Sequence, residues 1–370
     1  MRLTGEQQAL AEEARRLGAE VLAPLAEAGE EGRVNRPLVR ALARCGLLGR
    51  VFPEGGTVRA VDLCLLREAL ATTCPEAETA LAVQGLGAYP ILQSGRPEVV
   101  DRWVPAVRRG EAVAAFALTE PGAGSDAAAL SLRAEEVPGG WRLTGAKQWI
   151  SNAPDADVYT LFARTTEGAG ARGVSAFAVP GDADGLSGRP LDLLSPHPVG
   201  RLELDGVFVP ADDLLGERDR GFRVAMATLD LFRPSVGAFA VGLAQAALDA
   251  AVAHAGRREA FGGPLKELQA VAHRLADMAT ATAAARLLVH DAAQAVDAGD
   301  PDVTTRSAMA KLLATETAQR VVDDAVQLHG AAGLERGHLL ERLYREVRAP
   351  RIYEGASEVQ RTVIARGLYR

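Results

Sequence analysis

The chain has 370 residues, 48% of them apolar and 24% charged, with a formal net charge of −7. That length exceeds one hydrophobic core, so two or three domains are expected, and the composition excludes a disordered chain or a coiled coil. The acidic excess argues against a nucleic-acid surface, and three cysteines (Cys45, Cys64, Cys74) without metal-like or CxxC spacing point to a reducing compartment.

The N-terminus, Met1 to Glu6, lacks a hydrophobic signal core, and the longest apolar run, Ala112 to Leu118, is too short for a bilayer. A cytoplasmic protein with no membrane contact is expected. Thr4 and Gln7 form a capping box ahead of Leu10, Ala14, Leu17, Val21 and Leu22 at helical spacing, a pattern that Ala23-Pro24 interrupts. Further helices are expected over Pro37–Leu48, Val58–Thr73, Glu78–Gly87 and Pro97–Val107, with a break at Pro53-Glu54-Gly55-Gly56. Short apolar runs then follow: Ala114–Leu118, Trp141–Gly145, Val158–Ala163, Val174–Pro180, Arg201–Asp205 and Gly206–Pro210. Split by Gly and Pro, they suggest a small antiparallel barrel or sandwich. From Leu214 onward, alanine-rich helices are expected over Gly221–His254, Gly263–Ala298, Asp302–Leu328, Gly337–Arg345 and Ser357–Leu368, as an antiparallel four-helix bundle. The class is mainly α with a β domain, divided as 1–113, 114–213 and 214–370.

Five segments carry chemical possibilities. Thr119-Glu120-Pro121-Gly122-Ala123-Gly124-Ser125-Asp126 is rich in small residues that let backbone N–H groups approach a ligand, or is a capped turn. Its glycine spacing is not that of a dinucleotide fingerprint. Lys147-Gln148-Trp149-Ile150-Ser151 offers an indole and a hydroxyl to a planar ligand, or a core Trp on a hairpin. Arg258-Glu259-Ala260-Phe261, with Gln269 beyond, suits a pyrophosphate and an aromatic ring, or is an inter-helix loop. Gln327-Leu328-His329-Gly330-Ala331-Ala332-Gly333 cradles a phosphate or caps a helix. Tyr353-Glu354-Gly355 places a carboxylate between an aromatic and a glycine just before the last helix; an exposed loop carboxylate is the plain reading.

Taken together and in this order, the five segments resemble the acyl-CoA dehydrogenase family across essentially the whole chain. The resemblance implies an N-terminal helical domain, a middle β domain and a C-terminal four-helix bundle, assembled as a homotetramer or dimer, with FAD between the β domain and the bundle. It implies Thr119 and Ser151 as hydrogen-bond partners of the isoalloxazine ring and Trp149 as its packing face. Arg258, Phe261 and Gln269, with Gln327, Gly330 and Gly333, would hold the ADP portion. Ser125 and Ser357 are also carried over to the cofactor. Ser125, Asp230, Arg233, Tyr353 and Gly355 would line the acyl-thioester channel. Glu354 matches the family's base, which takes the α-proton while the β-hydride leaves for flavin N5. The implied substrate is an acyl-CoA or acyl-carrier-protein thioester, the product a trans-2-enoyl thioester, and the electron acceptor an electron-transfer flavoprotein. Some relatives carry the base one residue before the bundle arginine; here that residue is Phe232, which cannot take a proton.

The chain departs from the family pattern at Ala356, where Thr is common, at Ala331, where Gly is frequent, and over Leu194–Pro198. The Pro53–Arg59 segment looks trimmed. These changes suggest a specialised biosynthetic or catabolic enzyme. The six histidines show no metal spacing, so no metal is expected. Ser125 has no base partner for a hydrolytic triad. Competing expectations are a flavin oxidase or monooxygenase on the same fold, and a DNA-binding or structural family member. Glu354 speaks against the monooxygenase, and the acidic chain, which stops soon after its last helix, against the DNA binder.

Overall fold

The computed structural model describes residues 3–55 and 57–369. Met1, Arg2, Gly56 and Arg370, named above in the chain ends and the Pro53–Gly56 break, lie outside the described residues. The helices before the sheet are α1 (Gly5–Leu17), α2 (Ala23–Glu27), α3 (Arg36–Arg44), α4 (Leu47–Val51), α5 (Ala60–Thr73), α6 (Pro75–Ser94) and α7 (Pro97–Arg108). The strands are β1 (Ala114–Ala117), β2 (Arg133–Val137), β3 (Gly140–Ser151), β4 (Val158–Arg164), β5 (Val174–Pro180), β6 (Leu186–Pro190), β7 (Val199–Pro210) and β8 (Leu214–Leu215). There follow α8 (Gly221–Arg257), the small hairpin β9 (Glu259–Ala260) and β10 (Gly263–Pro264), α9 (Gln269–Ala298), α10 (Val303–His329), α11 (Leu339–Glu346) and α12 (Ser357–Gly367).

The chain forms two compact units. One comprises Met1–Ala19, Arg59–Glu78 and Asp230–Arg370; the other comprises Glu20–Val58 and Thr79–Leu229. The first is helical. Its α1 opens on the expected capping box, with Thr4 accepting from Gln7 N and Gln7 accepting from Thr4 N. Helix α5 is buried on every side, and its first N–H groups are capped by Asp297 (2.6 Å to Ala60 N, 3.2 Å to Val61 N). Close approach decides the packing. A Cβ at Gly237 would lie 2.7 Å from Val289 of α9, and one at Gly242 would lie 2.5 Å from the Glu68 carbonyl of α5. Helices α9 and α10 are joined by a short turn in which Gly299 adopts φ 65°, which makes them antiparallel neighbours.

In the second unit a continuous hydrogen-bonded sheet of eight strands runs β6-β7-β3-β2-β4-β5-β8, with β1 paired to β4 in parallel. It coils round one apolar core, so that Trp141 of β3 meets Phe177 of β5 edge-on, ring centroids 5.7 Å apart. The run expected over Trp141–Gly145 does not stop at its glycine but continues as the single strand β3. The register shifts after Leu143 and again after Lys147, and Gly145 takes φ 146° close against Leu132. The turn-like residues in the sequence are β-bulges. Arg201–Asp205 and Gly206–Pro210 are likewise the single strand β7, with Gly206 (φ 66°) opposite the first shift.

Other expectations moved for local reasons. Gly46 at φ 75° divides the single helix expected over Pro37–Leu48 into α3 and α4. Helix α6 runs past Gly87 through Pro90, and at Gly87 a Cβ would lie 2.6 Å from Ala115 N. At Gly263 the expected helix gives way to the β9–β10 hairpin, whose two turn residues, Phe261 and Gly262, take φ 55° and 92°. Helix α8 is long and apolar enough to cross a membrane (mean hydropathy 1.6 over its richest window), contrary to the expectation from the short run at Ala112. However, 72% of that window is buried inside the protein, as befits a core helix.

Candidate functional site

Glu354 lies in the connection before α12. Its backbone takes φ 50° and that of Gly355 takes φ 97°, a left-handed pair that turns the chain sharply. Side chains from three elements hold this turn by its carbonyl oxygens. Lys311 of α10, fully buried, donates to Gly355 O at 2.6 Å. Gln360 of α12 donates to Gly355 O and Glu354 O at 3.0 and 3.1 Å, and Arg233 Nε of α8 reaches Glu354 O at 3.4 Å. The turn is anchored on both sides by Glu316, which accepts from Ser357 Oγ (2.6 Å) and pairs with Arg351 (2.9 Å). Ser357 thus spends its hydroxyl on Glu316.

What this clamp leaves free is informative. The Glu354 Oε2 atom is buried and has no hydrogen-bond partner among the described residues. The Glu354 backbone N–H also has no acceptor among them. Burial pushes the Glu354 carboxyl above the usual carboxylate range, and the cations Arg67, Lys311 and Arg233 limit that rise. Burial in turn brings Lys311 down to about 8, against the pull of Glu354. Asp230 is raised by burial although it accepts from Arg233 (3.0 Å) and Thr304 (3.4 Å). Tyr353, beside the carboxylate, is 37% exposed. The structure therefore brings Glu354, Gly355, Arg233 and Asp230 together. A carboxylate so held, with one oxygen and one N–H open, can take a proton from a carbon acid while donating to the oxygen that gains charge.

The segments at the far ends of α8 and α10 also meet. His254 and His329 stack with ring centroids 4.1 Å apart, and His338 lies edge-on to His329 at 5.5 Å. Arg258 follows His254 by one turn (Arg258 N to His254 O, 2.8 Å), so the stack joins the Arg258–Gln269 segment to Gln327–Gly333. Arg258, Gln269, Gln327 and Gly330 are exposed, Phe261 is 93% exposed, and Gly333 is buried.

In the β-containing unit, a buried ion pair ties the loop that carries Thr119 to the strand that carries Trp149 and Ser151. Lys147, fully buried in β3, donates to Glu120 Oε1 (2.8 Å) and Leu118 O (2.9 Å). Glu120 also accepts from Ser131 N, Ser131 Oγ and Leu132 N at 2.6–3.0 Å. Burial works against the Glu120 carboxylate, but Lys147 and those N–H groups outweigh it and hold its pKa down; burial lowers Lys147 to about 8. Gln148 N donates to Thr119 O at 3.0 Å, fixing the loop to the strand. Trp149, at φ 58° in the bulge, is turned outward and 48% exposed. Ser125 is exposed on the loop.

Sequence reasoning missed Arg67, Lys311, Gln360 and the Glu120–Lys147 pair. A signal for two of them existed: Arg67 stands among Leu63, Leu65, Leu66 and Leu70 in α5, and Lys311 falls on the face of α10 occupied by Ser307, Ala308, Ala314 and Thr315.

Comparison with known proteins agrees with this arrangement. The sequence matches three successive families: acyl-CoA dehydrogenase, N-terminal domain, over residues 4–111; middle domain, over 115–207; and C-terminal domain, over 219–369. It is 38% identical over 363 residues to the probable acyl-CoA dehydrogenase FadE25 of Mycobacterium tuberculosis, covering 96% of this chain and 93% of that one. Among solved structures it resembles butyryl-CoA dehydrogenase from Megasphaera elsdenii (TM-score 0.94, 33% identity, all of both chains). It also resembles PigA with FAD and proline (TM-score 0.94, 28% identity, 100% of this chain and 99% of that one). With the fold matched end to end and the carboxylate turn in place, the chain belongs to the acyl-CoA dehydrogenase family.

Proposed function

We propose that this chain is an FAD-dependent dehydrogenase of acyl thioesters, with Glu354 as the base. The observation that carries this reading is the turn itself: a half-buried Glu354 with one buried, unpartnered carboxylate oxygen and a raised pKa, whose backbone is clamped by Lys311, Gln360 and Arg233. The α-hydrogen of a thioester is weakly acidic and becomes removable when its carbonyl oxygen receives hydrogen bonds as negative charge develops. The unused Glu354 N–H supplies such a donor, while its carboxylate takes the proton. Arg67, Lys311 and Arg233 oppose the rise that burial gives that carboxyl and so favour its ionised form.

The residues present suit the cofactor. Trp149 is an outward-facing aromatic surface on the strand that also carries Ser151, Gln148 N of that strand holds Thr119 O, and a Cβ at Gly122, Gly124 or Gly330 would meet nothing within 4 Å. Thr119, Trp149 and Ser151 would hold the isoalloxazine ring. Arg258, Phe261, Gln269, Gln327, Gly330 and Gly333 would hold the ADP portion. When bound, FAD accepts the hydride that leaves the β-carbon, so a trans-2-enoyl thioester results. Asp230, Arg233 and Tyr353 would border the acyl thioester. Reoxidation by an electron-transfer flavoprotein, assembly as a homo-oligomer and a cytoplasmic location belong to the same proposal, as does a thioester carried on CoA or on a carrier protein.

The test is a visible spectrum of the purified protein, followed by anaerobic addition of acyl-CoA thioesters. Flavin absorbance that bleaches with one class of thioester supports the reading. A colourless protein that cannot take up FAD overturns it. Bleaching followed by rapid recovery in air would place the chain with flavin oxidases instead.

A further inference from the structure

Arg67 of α5 and Glu78 of α6 form an ion pair buried to 2% and 0% exposure, Nε donating to Oε1. Arg67 Nη1 donates to Ser235 Oγ at 2.7 Å, and Ser235 donates to Phe232 O at 2.7 Å. Ser235 stands two residues beyond Arg233, whose Nε reaches Glu354 O. The guanidinium therefore lies within the group of side chains round the base, and its charge acts on both Tyr353 and Glu354. In the proposed reaction Arg233 and Lys311 hold the Glu354 turn and the Arg67 charge helps to limit the rise of its carboxyl, but no step uses the N–H donors of Arg67.

Stability does not account for them. A buried ion pair contributes no more than two well-packed apolar side chains in its place, because both charges lose their water. Helix α5 is otherwise lined with Leu63, Leu65, Leu66 and Leu70, so an apolar pair would suit it. The hydrogen-bonding capacity of Arg67 is also only partly used. A guanidinium has five N–H donors, and among the described residues Nη2 has no acceptor. The charge of Arg67 is already met by Glu78. What remains open is a donor, not a charge.

From this we infer that the acyl group this enzyme takes carries an uncharged oxygen acceptor, such as a keto, amide or hydroxyl oxygen, which Arg67 recognises while Glu78 holds the guanidinium in place. A plain alkyl chain offers the donor no acceptor, and a second carboxylate adds a negative charge near Glu78 and Glu354. Sites built to hydrogen-bond a substrate discriminate strongly against analogues lacking the group. This inference rests on the thioester dehydrogenase reading above.

The experiment compares three six-carbon thioesters on the FAD-loaded enzyme: hexanoyl-CoA, 4- or 5-oxohexanoyl-CoA, and hexanedioyl-CoA. Flavin bleaching gives kcat/KM, and calorimetric Kd on Glu354→Gln holoenzyme gives binding without turnover. The oxo compound is expected to exceed hexanoyl-CoA by roughly tenfold or more in both. In the double variant Arg67→Met/Glu78→Met, which leaves no unpaired charge, that preference should vanish and hexanoyl-CoA should gain. Arg67→Lys, which keeps the pair but not the planar fork, should lose most of the preference. Equal or better use of hexanoyl-CoA by the unaltered enzyme overturns the inference. So does a best response to hexanedioyl-CoA, or an oxo preference that survives in the double variant. If no thioester bleaches the flavin, the dehydrogenase reading fails, and the Kd comparison still decides what Arg67 recognises.

Discussion

Replacing Glu354 with Gln separates function from stability at one atom. The amide cannot take a proton, so the general-base contribution, typically 10²- to 10⁴-fold, should vanish from kcat in reductive half-reaction traces. Stability should move the other way. The wild-type carboxyl is raised in the folded state, so its stabilising form, the protonated one, is fully present only below the unfolded value, about 4.3. That contribution is lost as pH rises through the folded value. Above the folded value the wild type carries a buried ionised oxygen without a partner, which costs about 1–3 kcal/mol, and the variant carries a neutral amide. Because Arg67, Lys311 and Arg233 lose a counter-charge, only part of this is gained, ~1 kcal/mol. For a chain of this length that is a rise of ~1 °C in Tm. Scanning calorimetry across a pH series should show the two level at pH 4 and the variant gaining on the wild type as pH rises. Undiminished bleaching in Glu354→Gln, or a variant that does not gain on the wild type as pH rises, would refute the reasoning.

Three further outcomes follow from the same geometry. Lys311 is brought down to about 8, and a charged donor holds Gly355 O roughly twice as strongly as a neutral one, so kcat should fall above pH about 8; a pH profile of Lys311→Met should lack that inflection. Lys147→Met strands Glu120 as a buried carboxylate and should cost about 3–5 kcal/mol in urea unfolding, with Lys147→Met/Glu120→Gln recovering part of it; equal stabilities for the wild type and the single variant would deny the pair its role. Gly355→Ala places a Cβ 2.4 Å from Gln360 Nε2 on a residue at φ 97°, so a loss of at least ~1–2 kcal/mol should appear in thermal unfolding together with a fall in kcat.

Much of this was open to the sequence because its signals are local. The Thr4–Gln7 capping box, the strand runs at Val158 and Val174 and the long alanine-rich helices each depend on neighbours within a few residues, and each forms where expected. The place of Glu354 just before the last helix was legible as well, but its left-handed backbone was not, and the plain reading there was an exposed loop carboxylate. Boundaries were less legible. Gly145 and Gly206 look like strand breaks, yet the pairing of β3 with β7 absorbs both as bulges, and a bulge is defined only by the strand opposite.

The sequence by itself determined the family pattern, the helical and β segments and a carboxylate set between an aromatic and a glycine. Only the tertiary structure decided the surroundings of that carboxylate: Lys311 under Gly355 O, Arg67 paired with Glu78, and an oxygen of Glu354 left without a partner. Arg67 and Lys311 precede Glu354 by 287 and 43 positions, and nothing local marks either as its neighbour. Burial and long-range contact set their charge states and that of Glu354, and both arise only when α5, α8, α10 and the α12 turn are packed in one unit.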